Sequence, residues 1–133
     1  MLRIDHVVLY AGDSDATLRF YRDVLGLELR GDEEWRKGTR PTFHIPIGDA
    51  HFINVHPAGS DLHPRAARST PGGLDMCLLT DAPLSEVIDR AARGGVPVEV
   101  GPVPRTTATG EPSQSVYFRD PDGNLVEIMS TVH

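Results

Sequence analysis

The chain has 133 residues, a formal net charge of −6 and 39% hydrophobic residues, which suits one globular domain with a core of modest size. An acidic chain lacks the basic face that neutralises phosphates, so we expect no nucleic-acid partner. The sequence holds no run of about 18 apolar residues that would span a membrane. Its one cysteine, Cys77, excludes an internal disulfide and favours the cytoplasm.

The first strand is predicted at residues 4–10, where β-branched and apolar residues dominate. Alternation along this strand places His6 on the same face as Val8. A histidine in that position is either a hydrogen-bonded core residue or a ligand, and the strand alone does not decide between them. Asp13 then offers a helix N-cap, and the apolar stripe of an amphipathic helix follows until Gly26.

Three further strands are predicted in the first half of the chain. Residues 27–29 begin the second strand, and a polar loop around Trp35 follows it. Residues 41–47 alternate as the third strand, whose prolines favour the edge of a sheet. Residues 50–56 form the fourth strand, on which Asn54 and His56 share one face.

The second half follows a linker rich in proline and glycine, residues 57–72. Glu127 lies among apolar residues in the last strand, so it either faces solvent at an edge or meets a cation, a donor network or a metal. Cys77 is expected to pack as a small apolar residue. The predicted elements are strand 73–80, helix 84–92, strand 96–100, loop 102–112 with Arg105, and strands 114–118 and 125–129.

Each half therefore contains a strand, a helix and three strands, which makes the chain an internal repeat. Overlaying the halves aligns residues 4–9 with residues 73–78. We predict a single domain made of two modules, at about residues 1–56 and 73–133.

Three segments resemble the vicinal oxygen chelate superfamily, which includes glyoxalase I, bleomycin-binding proteins, fosfomycin-resistance proteins and extradiol dioxygenases. These segments are Asp5-His6-Val7, the helix end at residues 20–27, and the turn and strand at residues 118–127, which read FRDPDGNLVE. Residues 53–56, 101–106 and 117–125 resemble more closely its virulence-protein and glyoxalase-domain-protein-5 subgroup.

The resemblance implies an α+β fold in which two βαβββ modules form an open, barrel-like structure around one divalent metal, either Zn, Ni, Mn or Fe. His6 and Glu127 match ligand positions of the superfamily. Asp75 stands where a second histidine is usual, and we predict it as a further ligand, because an aspartate can also bind a metal through a hard oxygen. The remaining ligand lies on the fourth strand, where a shift of one residue in the overlay selects Asn54 or Ile53. We predict His56, which shares the face of Asn54, because imidazole is the better ligand for first-row metals.

We therefore expect a metal-dependent enzyme that acts on a small oxygen-chelating substrate, as a lyase, an isomerase or a dioxygenase. Glu127 is its candidate catalytic residue, and Arg105 and Tyr117 are candidate substrate-binding residues. The resemblance also implies a homodimer. The alternative is a metal-free binding protein that holds a drug-like molecule in a groove, as bleomycin-resistance proteins do.

Overall fold

The computed structural model describes residues 1–132, which form seven strands, three α-helices and one π-helical turn. In chain order these are β1 (His6–Ala11), α1 (Ser14–Arg19), the π-helical turn (Phe20–Val24), α2 (Asp32–Arg36), β2 (Phe43–Ile47), β3 (His51–Pro57), β4 (Asp75–Thr80), α3 (Leu84–Arg93), β5 (Val100–Thr106), β6 (Pro112–Arg119) and β7 (Leu125–Ser130).

The strands form two separate sheets. The first has the order β1-β3-β2 and the second the order β4-β7-β6-β5. In each sheet the first strand of the module pairs in parallel with the last one, β1 with β3 and β4 with β7. Apolar side chains on one face of each sheet pack against the helices and build the core, among them Leu9, Val55, Phe118 and Val126, all at most 1% exposed.

The first helix begins and ends where the sequence predicts. The side chain of Asp13 accepts hydrogen bonds from the backbone N–H groups of Asp15 and Ala16, which satisfies two free donors of the first turn. The helix continues as the π-helical turn and buries Tyr21 completely. Gly26, at φ +75°, then ends it, because a glycine adopts this conformation without a steric cost.

A buried network at the β6–β7 turn joins the two halves of the chain. The carboxylate of Asp120, only 5% exposed, accepts hydrogen bonds from the Tyr21 hydroxyl at 2.8 Å and from the side-chain amide of Asn124 at 2.8 Å. Burial and the adjacent Asp120 charge raise the pKa of Tyr21, so this phenol remains a donor. At the same turn, the Gly12 backbone donates to the Asp122 carboxylate at 3.1 Å.

Two predicted elements of the first half differ from the structure. Residues 27–29 do not form a strand, and only an isolated antiparallel bridge links Arg30 to His44. The predicted polar loop contains α2, in which Trp35 packs against Phe43 with ring centroids 5.3 Å apart. Three acidic residues in its first turn favour the N-terminus of a helix. The basic residues of the same segment hid this signal in the sequence, so a polar loop was predicted.

The loop predicted at residues 102–112 is confirmed only over residues 107–111, because residues 100–106 form strand β5. The strand predicted at residues 96–100 was wrong, since residues 96–99 lie outside any strand. Pro102 and Pro104 argued against a strand in the sequence. The structure accommodates them because β5 is the edge of its sheet and its pairing with β6 is irregular between Val100 and Val103.

The α+β class is confirmed, with two sheets and no closed barrel within residues 1–132. None of the helices over these residues is long and apolar enough to cross a membrane.

Candidate functional site

One face of the first sheet carries three histidines and an asparagine. Strand pairing sets His6 beside Phe52, Tyr10 beside His56, and Val8 beside Asn54 on parallel strands, while His44 of β2 lies opposite Asn54. Residues paired across neighbouring strands point to the same face of a sheet, so these polar side chains lie on the face that is turned away from the core.

His6 is held by two neighbours. Its Nδ1 contacts a carboxylate oxygen of Asp5 at 2.9 Å, and its ring stacks on Phe52 with centroids 4.6 Å apart. A carboxylate on Nδ1 fixes the tautomer that leaves the Nε2 lone pair free, as is usual for a histidine that binds a metal.

His44 is held in a neutral state. A guanidinium N–H of Arg40 contacts its Nε2 at 2.8 Å, and because arginine only donates, Nε2 must accept. Burial, followed by the charge of Arg40, lowers the pKa of His44. The ring also stacks on Phe52 with centroids 4.0 Å apart, so Phe52 lies between two imidazoles.

Asn54 has an unusual buried atom. Its side-chain oxygen is inaccessible to solvent and has no hydrogen-bond partner among residues 1–132. Leaving such an atom without a partner costs about 1–3 kcal/mol. Nearby, burial and the effect of His6 lower the pKa of His56, which keeps this imidazole neutral and able to coordinate.

The open face of the second sheet is built around Glu127. Its cross-strand neighbours are Cys77 on β4 and Tyr117 on β6. The hydroxyl of Ser115, completely buried, donates to its Oε2 at 2.7 Å. Asp75 lies on the same face, opposite Leu125.

Cys77 differs from the expectation that it would pack as an apolar residue, because it is exposed beside Glu127. Partial desolvation, with the nearby Glu127 carboxylate, raises the pKa of the thiol to about 11. It therefore stays protonated at neutral pH and is a poor nucleophile.

The two candidate substrate-binding residues contact each other. Arg105 donates from Nε to the Tyr117 hydroxyl at 2.9 Å, and its guanidinium carbon lies 5.6 Å from the centre of the tyrosine ring. The sequence assigned Arg105 to a loop, whereas β5 directs it over the neighbouring strand.

Comparison of the two sheets resolves the register that the sequence left open. In the first sheet His6 pairs with Phe52 and Val8 with Asn54, and in the second Asp75 pairs with Leu125 and Cys77 with Glu127. If His6 and Asp75 are equivalent, Asn54 rather than Ile53 is the equivalent of Glu127. His56, two residues further along, is the equivalent of Met129.

The predicted metal ligands are thus divided between the sheets. His6 and His56 lie on the first sheet, and Asp75 and Glu127 on the second. Over residues 1–132, no three His, Cys, Asp or Glu side chains come close enough to hold a metal.

Three residues of these faces were missed by sequence reasoning: Arg40, His44 and Ser115. Arg40 was assigned to a polar loop, where an arginine carries no signal of a partner. Ser115 shares the period-two alternation that places Tyr117 beside Glu127, and this pattern was the available signal.

The sequence profile of the Glyoxalase/Bleomycin resistance protein/Dioxygenase superfamily matches residues 3–128 of this chain. The chain belongs to this superfamily. Virulence protein STM3117 of Salmonella typhimurium is 42% identical over 130 residues, which cover 98% of this chain and 85% of that protein. The crystal structure of that protein superposes on this one with a TM-score of 0.85, and the match covers 99% of this chain and 98% of that chain. The resemblance to the virulence-protein subgroup is thereby confirmed.

Two less similar solved structures differ in what their names state. A lactoylglutathione lyase from Agrobacterium tumefaciens is 26% identical, with a TM-score of 0.66 and coverage of 98% of this chain and 95% of that one. TnmS3, an antibiotic binding protein from Streptomyces sp. CB03234, shares the fold at 20% identity, with a TM-score of 0.71 and coverage of 98% and 96%.

Proposed function

We propose that this protein is a divalent-metal-dependent enzyme whose metal site is shared between two copies of the chain. His6 of one copy, with His56 or Asn54 of the same copy, and Asp75 and Glu127 of the other copy would hold the metal. The division of these residues between two sheets is the observation that carries the proposal. Over residues 1–132 of one chain, no three potential ligands lie close enough to hold a metal, which agrees with a site that needs a second copy.

The donor set suits a first-row metal. Two imidazoles with carboxylates are typical ligands of Zn²⁺, Ni²⁺, Mn²⁺ and Fe²⁺. The Asp5 carboxylate on His6 and the Ser115 hydroxyl on Glu127 are the outer contacts that orient such ligands.

The open faces of the two sheets support a homodimer. Leu79 is 64% exposed and lies two residues after Cys77, on the same face of the second sheet as Glu127. A second copy would cover this apolar surface and bring the histidines of its first sheet to Glu127. A chain with a single cysteine suits a reducing compartment, which supports a cytoplasmic location.

The substrate would be a small molecule with two neighbouring oxygens. When bound, the metal would supply Lewis-acid polarisation of these oxygens. Glu127, which accepts a hydrogen bond from Ser115, would take a proton from the adjacent carbon after its carboxylate leaves the metal. This chemistry is of the lyase or isomerase type, whereas His6, His56 and Glu127 with Fe²⁺ would support a dioxygenase.

Mixing two inactive variants tests the shared site. His6→Ala and Glu127→Gln should each abolish metal binding when purified alone. In a mixed dimer, one site loses both ligands and the other keeps all four, because the two subunits are related by a two-fold axis. We therefore expect metal binding to return after the variants are unfolded and refolded together, as measured by isothermal titration with Zn²⁺ or Ni²⁺.

Each variant refolded alone is the control and should bind no metal, and a second control, His51→Ala, removes an exposed histidine at the start of β3. His51→Ala alone should bind metal normally. If refolding the His6 and Glu127 variants together restores nothing although mixed dimers form, the site is not shared. A monomer in light scattering would contradict the proposal from the outset.

The second candidate is a metal-free binding protein, which the same fold of TnmS3, an antibiotic binding protein, supports. The two candidates differ in a simple measurement. A metal enzyme should contain metal as purified and lose thermal stability on chelation, whereas a metal-free binder should do neither.

A further inference from the structure

We propose that the cavity at the β5 edge of the second sheet binds the carboxylate of an organic anion with an apolar body. The inference rests on the proposed function only in that this anion would be the substrate, since the binding itself needs no metal. The cavity has a volume of about 360 Å³, which suits a small molecule. It is lined by Glu99, Val100, Arg105, Tyr117, Arg119 and Leu125.

Arg105 is the cation with free donors. It donates one hydrogen bond from Nε to the Tyr117 hydroxyl and one from Nη1 to the Pro104 carbonyl, each at 2.9 Å. A guanidinium has five N–H donors, so three remain. Over residues 1–132, no carboxylate lies in salt-bridge contact with Arg105, which leaves its charge without a counterion.

Tyr117 supplies a second donor at the same place. Its hydroxyl oxygen accepts from Arg105, so its own proton is available to a ligand. A carboxylate with one oxygen on the guanidinium and one on this phenol would use both groups. Such charge-assisted hydrogen bonds are stronger than bonds between neutral groups.

The remaining lining selects a monoanion. Arg119 is paired with Glu99 through Nε, at 3.1 Å and 3.2 Å from its two carboxylate oxygens, and donates from Nη1 to the Gly123 carbonyl. Two arginines and one glutamate leave one positive charge, which matches a carboxylate better than a phosphate dianion. Val100 and Leu125 add apolar surface for the rest of the molecule.

The cavity also adjoins the proposed metal ligand. Tyr117 and Glu127 are direct cross-strand partners, and Leu125 lies two residues before Glu127 on the same face. A molecule held by its carboxylate at Arg105 would therefore extend toward Glu127. The carboxylate is the anchor, and the atoms beyond it would meet the proposed metal site.

Benzoate and benzamide test this inference, because they share a shape and differ in charge. The full chain is titrated with each in a chelating buffer, and binding is followed by amide chemical shifts in NMR. We expect benzoate to bind with saturation and benzamide at least about tenfold more weakly, the factor for a lost charge-assisted hydrogen bond. Inorganic phosphate should bind more weakly than benzoate.

Variants locate the binding. Arg105→Ala should lower benzoate affinity about tenfold or more, and Tyr117→Phe about threefold to tenfold, since it removes one neutral donor. Arg105→Lys should keep part of the affinity and guards against a folding defect in the alanine variant. Arg93→Ala, which removes an exposed arginine at the end of α3, is the control and should bind as the wild type does.

Equal binding of benzoate and benzamide, or unchanged benzoate binding in both Arg105 variants, would overturn the inference. Tighter binding of phosphate than of benzoate would also overturn it. Because the titration excludes metal, Arg105-dependent binding of benzoate would stand even if the mixed-variant experiment failed, and the protein would then be a carboxylate binder.

Discussion

At the scale of single residues, Asn54 and His56 are the two candidate metal ligands on β3. Asn54 has the register of Glu127 and an unpartnered buried oxygen. His56 has the better ligand atom, and burial followed by the effect of His6 lowers its pKa. Position favours one residue and ligand chemistry favours the other.

We predict that His56→Ala weakens Zn²⁺ binding by at least about tenfold and Asn54→Ala by less, because imidazole is a stronger donor to zinc-like ions than an amide oxygen. Asp75→Asn should likewise cost less affinity than His6→Ala. Isothermal titration of Zn²⁺ into each variant at pH 7.5 measures the difference. Loss of the metal in Asn54→Ala, with binding kept in His56→Ala, would assign the site to Asn54 instead.

At the scale of elements, the close approach of Gly72 to the β6–β7 turn determines how the linker enters the second module. Gly72 has φ +91°, and a Cβ at this residue would lie 2.6 Å from the backbone oxygen of Asp122. Backbone cannot move aside as a flexible side chain can, so both the conformation and the space require glycine.

Gly72→Ala should therefore destabilise the protein by about 3 kcal/mol, combining the cost of a positive φ with the clash. Gly59→Ala is the matched control, because Gly59 has φ +76° but nothing within 4 Å of its would-be Cβ. It should cost only about 1–2 kcal/mol. Urea unfolding compares the two, and equal losses would mean that the contact with Asp122 contributes nothing.

The sequence predicted elements well where hydrophobic periodicity was uninterrupted. The helix from Ser14 and the strands that carry His6 and Glu127 are examples, because alternation and caps are local signals. Strand β5 was missed because its pairing to β6, rather than its own sequence, overcomes the prolines. Propensity is outweighed by tertiary pairing at such positions.

The candidate site was predictable only in part, for a related reason. His6, Glu127 and Tyr117 follow from motif and alternation within single strands. The bond from Ser115 to Glu127 and the contact of Arg40 with His44 depend on distances between elements. No pattern within one segment contains those distances.

At the scale of the whole molecule, the Asp120 network joins a helix of the first half to the last turn of the second. Tyr21 reaches across 99 residues of sequence to donate to this carboxylate. The turn motif of residues 120–124 is therefore a structural junction, whereas the neighbouring Glu127 belongs to the candidate site.

We predict that Tyr21→Phe lowers the free energy of unfolding by about 1.5–3 kcal/mol, because a buried carboxylate loses a charge-assisted donor. Tyr10→Phe is the control. Its hydroxyl accepts only an exposed, 3.3 Å bond from the Ala66 backbone, so its removal should cost less than about 1 kcal/mol. Urea unfolding measures both, and a Tyr21→Phe variant as stable as Tyr10→Phe would mean that the network does not hold the halves together.

The prolines in the edge strands limit where another strand could pair with these sheets. His44 exchanges backbone hydrogen bonds with Arg30 on the outer side of β2, so the ring nitrogen of Pro46, two residues later, also points outward and offers no donor. Pro102 and Pro104 remove donors from β5, the outer strand of the other sheet. A foreign strand would find an incomplete ladder at either place, which disfavours fibril-like stacking. The proline-free edge strands, β1 and β4, leave each sheet able to extend in one direction only.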